Sequence, residues 1–287
     1  MVNQETLQLV DRLSRFELHA AHSGREVLRV LIDNLINSQE TTPAGLLLEQ
    51  SDSIRCLLRV LPPYAPPLNN INKILLLVEA AEESGSSVEE LKHQLNGLQK
   101  RTGDAKLFWK SILPPLVKEL PDEAVVYTHT LSETVLGVLT ELHWMGKIKR
   151  VNVTESRPNN DGWDTARRLA ELDVDVHLYI DAAMPAAIEN AHLMLSGAEI
   201  INQDGSVVGK VGAYPAAVFC QLYTKPVYIV ADTNKINHMQ WHDFHLNPLS
   251  ARDLAWTSRT RGYKSVARFS TSPQPVSSTP MPLSWVS

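Results

Sequence analysis

The sequence has little that would tie it to a membrane, to nucleic acid or to an oxidising compartment. Its apolar runs are short, and the nearest to a spanning segment, Ile74 to Val78, is stopped by Glu79. A bilayer-crossing helix needs about 20 such residues. The first residues, Met1-Val2-Asn3-Gln4-Glu5, lack the basic-then-apolar pattern of a signal peptide. Two cysteines, Cys56 and Cys220, stand far apart, which excludes a disulfide framework and a cysteine metal motif. Positive charge is not in excess: 27 Lys and Arg against 32 Asp and Glu leave a net charge of −5. Phosphate backbones are held by clustered Lys and Arg, so direct nucleic-acid binding is not expected. Together these features predict a cytoplasmic protein. What remains is a globular balance, 44% hydrophobic and 21% charged over 287 residues, enough for one large domain or two ordinary ones.

The N-terminal part, 1–120, reads as a helical domain. Ser23 precedes Glu26 by the capping-box spacing, ahead of Val27, Val30, Leu31 and Leu35 on one face. Thr42-Pro43 has the form of an N-cap followed by proline at the first helical position. The run Leu61-Pro62-Pro63-Tyr64-Ala65-Pro66-Pro67 predicts a rigid extended connector. Further helices are expected at 70–83, 87–100 and 104–112, with Pro114, Pro115 and Pro121 bracketing the passage onward.

From there the pattern changes. Runs rich in β-formers stand at 124–128, 150–154, 174–180, 193–196 and 227–231, with helical stretches such as 133–145 and 164–172 between them. Strands alternating with helices imply right-handed crossovers and a mainly parallel sheet. Asp204-Gly205, flanked by Ile201 and Val207, predicts a hairpin turn. The expected organisation is therefore a helical domain, an α/β domain over 121–260 with a ligand pocket, and a Ser/Pro-rich tail over 261–287. The tail's composition predicts disorder, with Trp285 as a residue able to dock.

In an open parallel sheet, ligands bind at the carboxyl ends of the strands. Here those ends read Thr128-His129-Thr130-Leu131-Ser132, Thr154-Glu155-Ser156-Arg157-Pro158, Asp181-Ala182-Ala183, Gly197-Ala198-Glu199 and Gly209-Lys210-Val211-Gly212. Polar clusters at successive strand ends mark a site better than any one motif does. The competing explanation is helix caps and turns.

This order of motifs resembles one family. The regulatory alpha, beta and delta subunits of translation initiation factor 2B share it with methylthioribose-1-phosphate isomerase and ribose-1,5-bisphosphate isomerase. The matching elements are Tyr127-Thr128-His129, Val153-Thr154-Glu155-Ser156-Arg157-Pro158, Asp181-Ala182-Ala183, Gly197-Ala198-Glu199, Gly209-Lys210-Val211-Gly212 and Pro226 to Ala231, while Ser23-Gly24 resembles the family's helix start. The resemblance implies a helical domain followed by a Rossmann-like, mainly parallel domain of the NagB/RpiA/CoA-transferase type, associating as a homodimer or with related subunits. It implies no cofactor and no metal.

The isomerase members carry a catalytic cysteine just after the Thr-His pair and an aspartate in a Gly-Ala-Asp motif. This chain has Thr130 and Glu199 there. A threonine hydroxyl has no ionisation near neutral pH, whereas a thiol with pKa ~8.5 does, so Thr130 cannot take the cysteine's acid–base role. Glu199 keeps the carboxylate on a longer stem. The family's asparagine before the lysine is Gly209, and its Arg-Pro loop is replaced by Leu61-Pro62-Pro63. The ligand-binding candidates are therefore His129, Thr130, Ser132, Arg157, Asp181, Glu199 and Lys210. For Arg157 the alternatives are an anion or an ion pair with Glu155 or Asp181, and for Asp181 the pocket floor or an assembly interface. Cys56 and Cys220 are expected in the core. His238, His242 and His245 have a spacing that a metal could use on a helix, but an exposed polar helix is the expected reading and no metal is expected. The leading expectation is a protein that binds a phosphorylated sugar or a nucleotide without catalysis. Its alternative is an intramolecular aldose–ketose isomerase with Glu199 as base and with Lys210 and Ser132 at the phosphate.

Overall fold

The computed structural model describes residues 2–15, 17–18, 20–61, 65–102, 105–237 and 284–286; at 105–108, 110 and 284–286 only the backbone is described. The chain forms two compact units. One runs from the N-terminus to Leu107 and takes in a short segment from Asn234; the other begins at Phe108.

The first unit is helical, with α1 Gln4–Ser14, α2 Ala20–Asn37, α3 Pro43–Val60, α4 Ala65–Ser84 and α5 Val88–Thr102. Thr42 caps α3 as expected, its hydroxyl accepting from Gly45 N at 3.0 Å with Pro43 at the first helical position. The capping box stands elsewhere than predicted. Ser23 lies inside α2, a turn after its start, and its hydroxyl donates to Ala20 O at 2.9 Å. The box is made at the start of α5, where Ser87 Oγ accepts from Glu90 N at 3.2 Å and Glu90 Oε2 accepts from Ser87 N at 3.0 Å. The proline run is also shorter as a connector than expected. α4 begins at Ala65, with Pro66 and Pro67 in its first turn, where a missing N–H breaks no helical bond. The unit's core joins Val27, Leu31 and Leu35 of α2 to Leu46 and Leu57 of α3, Ile74 and Val78 of α4, and Leu91 and Leu95 of α5. Cys56, expected in the core, is instead only half-buried and is not among the residues of that core.

α6 Ala105–Glu119, most of which belongs to the second unit, continues through Pro114 and Pro115 rather than ending before them. Both prolines are exposed, while Ile112, Leu116 and Leu120, four residues apart, are buried in one core. Packing of that stripe outweighs the local preference of the prolines. Then come β1 Ala124–His129, α7 Glu133–Trp144, β2 Ile148–Thr154, α8 Asp161–Ala170, β3 Val176–Tyr179, α9 Met184–Glu189 and β4 Leu193–Ser196. A two-stranded antiparallel ribbon of β5 Ile200–Ile201 and β6 Val207–Val208 follows, then α10 Ala213–Leu222 and β7 Val227–Val230. The ribbon's connection spans Asn202 to Ser206, and Asp204 Oδ1 accepts from Ser206 N at 2.9 Å within it. Of the expected tail, 284–286 is described, as a strand β8 parallel to β7 with Trp285 opposite Ile229.

The sheet order is β3-β2-β1-β4-β7-β8, with every pairing parallel. The predicted parallel α/β sheet is thus present. One face carries a core of Val126, Val151, Val153 and Leu195 with side chains of α6 and α7. The other carries Val125, Tyr127, Met194 and Ile229 with Ile188 of α9 and Cys220 of α10. From β1 the chain winds outward to β2 and β3, then returns to β4 on β1's other side. The carboxyl ends of β1 and β4 therefore flank a topological switch point, where such sheets open a crevice. Among the described residues, no helix is long and apolar enough to cross a membrane. His238, His242 and His245 lie outside the described residues.

Candidate functional site

β1 ends at His129, and the chain then turns through Thr130 in the left-handed region at φ 63°. A β-branched residue seldom adopts that conformation, and such strain persists only where surrounding contacts impose it. The contacts are present. Thr130 Oγ1 donates to Asp161 Oδ2 at 3.1 Å, and Thr130 O accepts from Thr165 Oγ1 at 2.9 Å. The same Asp161 oxygen accepts from Lys210 Nζ in a short ion pair. Asp161 is buried, and it opens α8. Its place depends on Gly162: a Cβ there would stand 1.8 Å from Thr154 O. Only a residue without one lets the first turn of α8 press against the end of β2.

His129 forms the second part of the site. Its Nε2 lies 2.5 Å from Val211 O, and its Nδ1 lies 2.7 Å from Thr154 Oγ1. A carbonyl only accepts, so Nε2 carries the proton and Nδ1 accepts from the Thr154 hydroxyl. Tyr127 then donates to Thr154 Oγ1 at 3.0 Å, and Ser156 Oγ stands 3.3 Å from His129 Nε2. Burial pushes the His129 pKa down, against the opposing influence of the Val211 carbonyl and of Asp181 and Asp161. Burial also raises the Tyr127 hydroxyl, so this network is neutral. Gly212, at φ 99°, seals it: a Cβ at that position would stand 2.2 Å from His129 Nε2.

The remaining predicted residues take separate places. Ser132 caps α7, its hydroxyl accepting from Val135 N at 3.3 Å, and Gly197 packs directly on it. Asp181 braces the turn after β2, accepting from Ser156 N at 2.9 Å and from Arg157 N at 2.7 Å. Asp181 thus meets Arg157 through its main chain, while the exposed Arg157 guanidinium reaches toward Asn160 Oδ1 at 3.4 Å. Glu199 follows β4, half-buried, with its backbone N donating to Val208 O at 2.9 Å and one carboxylate oxygen shut off from solvent. Thr130 and Lys210 are brought together through Asp161; His129 is tied to the loop that carries Lys210.

Thr154 and Ser156 belong to a strand-end cluster that the sequence marks, without being singled out there as ligand-binding candidates, whereas Asp161 escaped it altogether. Asn160-Asp161-Gly162 reads locally as a turn before a helix. Nothing in that spelling says that the carboxylate meets a threonine 31 residues earlier and a lysine 49 residues later.

The model of the Initiation factor 2 subunit family matches residues 19–255. The chain belongs to that family. The translation initiation factor eIF2B subunit alpha of Dictyostelium discoideum is 28% identical over 211 residues, covering 72% of this chain and 66% of that protein. The ribose 1,5-bisphosphate isomerase of Archaeoglobus fulgidus is 24% identical over 240 residues, covering 82% of this chain and 72% of that protein. In fold, the chain is similar to the tetrameric eIF2B-beta2-delta2 complex from C. thermophilum, with a TM-score of 0.67, 19% identity, and coverage of 82% and 79% of the two chains. Other curated relatives of the chain are matched over about half their length. The proteins to which the chain is similar thus include both a translation initiation factor eIF2B subunit and a sugar-phosphate isomerase.

Proposed function

We propose that this chain is a binding member of the initiation factor 2 subunit family, with a site at the β1 and β4 strand ends that takes a phosphorylated sugar or a nucleotide as a regulatory ligand. The observation that carries the reading is Thr130. It occupies the turn after β1 and its hydroxyl is committed to Asp161. A hydroxyl without an accessible ionisation supplies neither the acid nor the base that a proton shuttle through an enediol requires. Binding needs no such group. Ser132 at the start of α7 and Lys210 beside Asp161 are the side chains through which a polar ligand would be held.

The α/β unit pairs with a second copy or with a related subunit in this reading. Its support is the surface of α10, where Tyr214, Val218 and Leu222 are exposed at successive turns on a helix without a charged residue. A role in translation follows only by analogy with the Dictyostelium relative.

Thermal-shift measurements with sugar phosphates and nucleoside monophosphates test the ligand. Stabilisation by one class is expected, and none by any member of either class defeats the reading. Incubation with ribose 1,5-bisphosphate or methylthioribose 1-phosphate in deuterated water tests the isomerase alternative. No ketose and no solvent deuterium in product are expected. Turnover that disappears in Glu199→Gln would replace binding by catalysis, with Glu199 as the base.

A further inference from the structure

Lys210 is a cation that the strand-end site offers to a ligand phosphate, yet it meets a carboxylate of its own chain. Asp161 Oδ2 accepts from both Lys210 Nζ and Thr130 Oγ1, so one oxygen receives the charge and the hydroxyl that an incoming anion would seek. The position is enforced. Asp161 is buried in the first turn of α8, where the helix dipole favours a negative charge. Gly162 lets that turn lie against Thr154, and Thr165 of the same helix holds the Thr130 carbonyl. Lys210 is carried by a loop whose next residue, Val211, is fixed to His129.

We infer that Asp161 is a resident anion that competes with ligand phosphate for Lys210 and thereby sets the charge specificity of the site. This rests on the reading of the strand ends as a ligand site. Lysine and aspartate together carry no net charge, so the pair by itself does not draw an anion to the end of β1. A phosphate bound at Lys210 must displace the carboxylate or lie beside it against like-charge repulsion, in surroundings that screen little. The lone pairs remaining on Asp161 instead suit donors, which a sugar or ribose supplies as hydroxyls. The site as built therefore takes the hydroxyl-bearing part of a ligand beside Asp161 and excludes its phosphate from that position.

The test compares the wild type with Asp161→Asn, Asp161→Ser and the double variant Asp161→Asn with Lys210→Met, using inorganic phosphate and ribose 5-phosphate as probes in calorimetric titrations. Both single variants remove the charge, and serine also suits the first turn of a helix, so at least one is expected to fold, as circular dichroism verifies. Inorganic phosphate is expected to bind the single variants at least tenfold tighter than the wild type, a gain of about 1.4 kcal/mol. The double variant is expected to lose that gain. Phosphate affinity unchanged in both folded single variants overturns the inference, even where ribose 5-phosphate binds the wild type and the strand-end reading stands. A gain that survives Lys210→Met also overturns it. Phosphate binding seen only once Asp161 is removed supports the inference, while the absence of ribose 5-phosphate binding to the wild type would count against the wider reading.

Discussion

His129 and Gly212 are linked at the scale of single residues, because the imidazole has a tautomer fixed by Val211 O and a wall formed by Gly212. Gly212→Ala places a methyl on the ring and forces an L-residue to φ 99°. We expect a loss of more than about 2 kcal/mol in denaturant unfolding. The histidine has a pH signature as well. Burial lowers its folded-state pKa below the unfolded value of about 6.5. Between those two values the unfolded chain binds more protons than the folded one, so stability rises with pH. The contribution is fully present above about pH 6.5 and is lost as the pH falls through the unfolded value toward the folded one. His129→Phe abolishes this dependence. Its melting temperature is expected to change less than the wild type's between about pH 7.5 and about pH 5.5, alongside a loss of about 1–3 kcal/mol at neutral pH from Val211 O and Thr154 left without the ring. Equal pH slopes in the two proteins would remove His129 as the source.

Elements were legible in the sequence where one period dominated, and less so where local and tertiary preferences disagreed. β4 occupies the predicted residues, and β1, β2 and β7 differ from prediction at their ends only. Each is a short apolar run bounded by polar turn residues, and burial on both faces leaves little ambiguity. α6 shows the opposite case. Two prolines read as a stop, but the stripe of Ile112, Leu116 and Leu120 is a tertiary feature that only the packed sheet reveals. Ser23 and Ser87 both precede a glutamate by three residues, and the spacing alone does not distinguish an internal serine from a cap. Ser87 is the one that caps. Ser87→Ala is expected to cost about 1 kcal/mol in the stability of the helical unit, through loss of the bond to Glu90 N. Hydrogen exchange at the first turn of α5 would report it, with faster exchange there than in α3. Unchanged protection would deny the cap its role. The candidate site followed the same division: its strand ends could be read, whereas Asp161 depends on contacts 31 and 49 residues away along the chain.

At the scale of the whole molecule, α10 has the composition of a buried helix and the exposure of a surface one. Ala216 and Cys220 face the core, while Tyr214 is 53%, Val218 42% and Leu222 68% exposed. A helix apolar on all sides belongs in an interior, and an exposed stripe of this kind marks a protein interface. Self-association suits this stripe. A two-fold contact lays the same patch on itself, which a charged surface resists through like-charge repulsion and an uncharged one does not. The helix sequence, Ala-Tyr-Pro-Ala-Ala-Val-Phe-Cys-Gln-Leu, contains no charge to oppose it. Light scattering at micromolar concentration is expected to give twice the chain mass for the wild type and the single chain mass for Val218→Glu with Leu222→Glu. Those side chains point away from the core, so the double variant is expected to keep the wild-type circular dichroism. A wild type that stays monomeric, or a variant that still dimerises, would leave the pairing surface to be sought on another face of the unit.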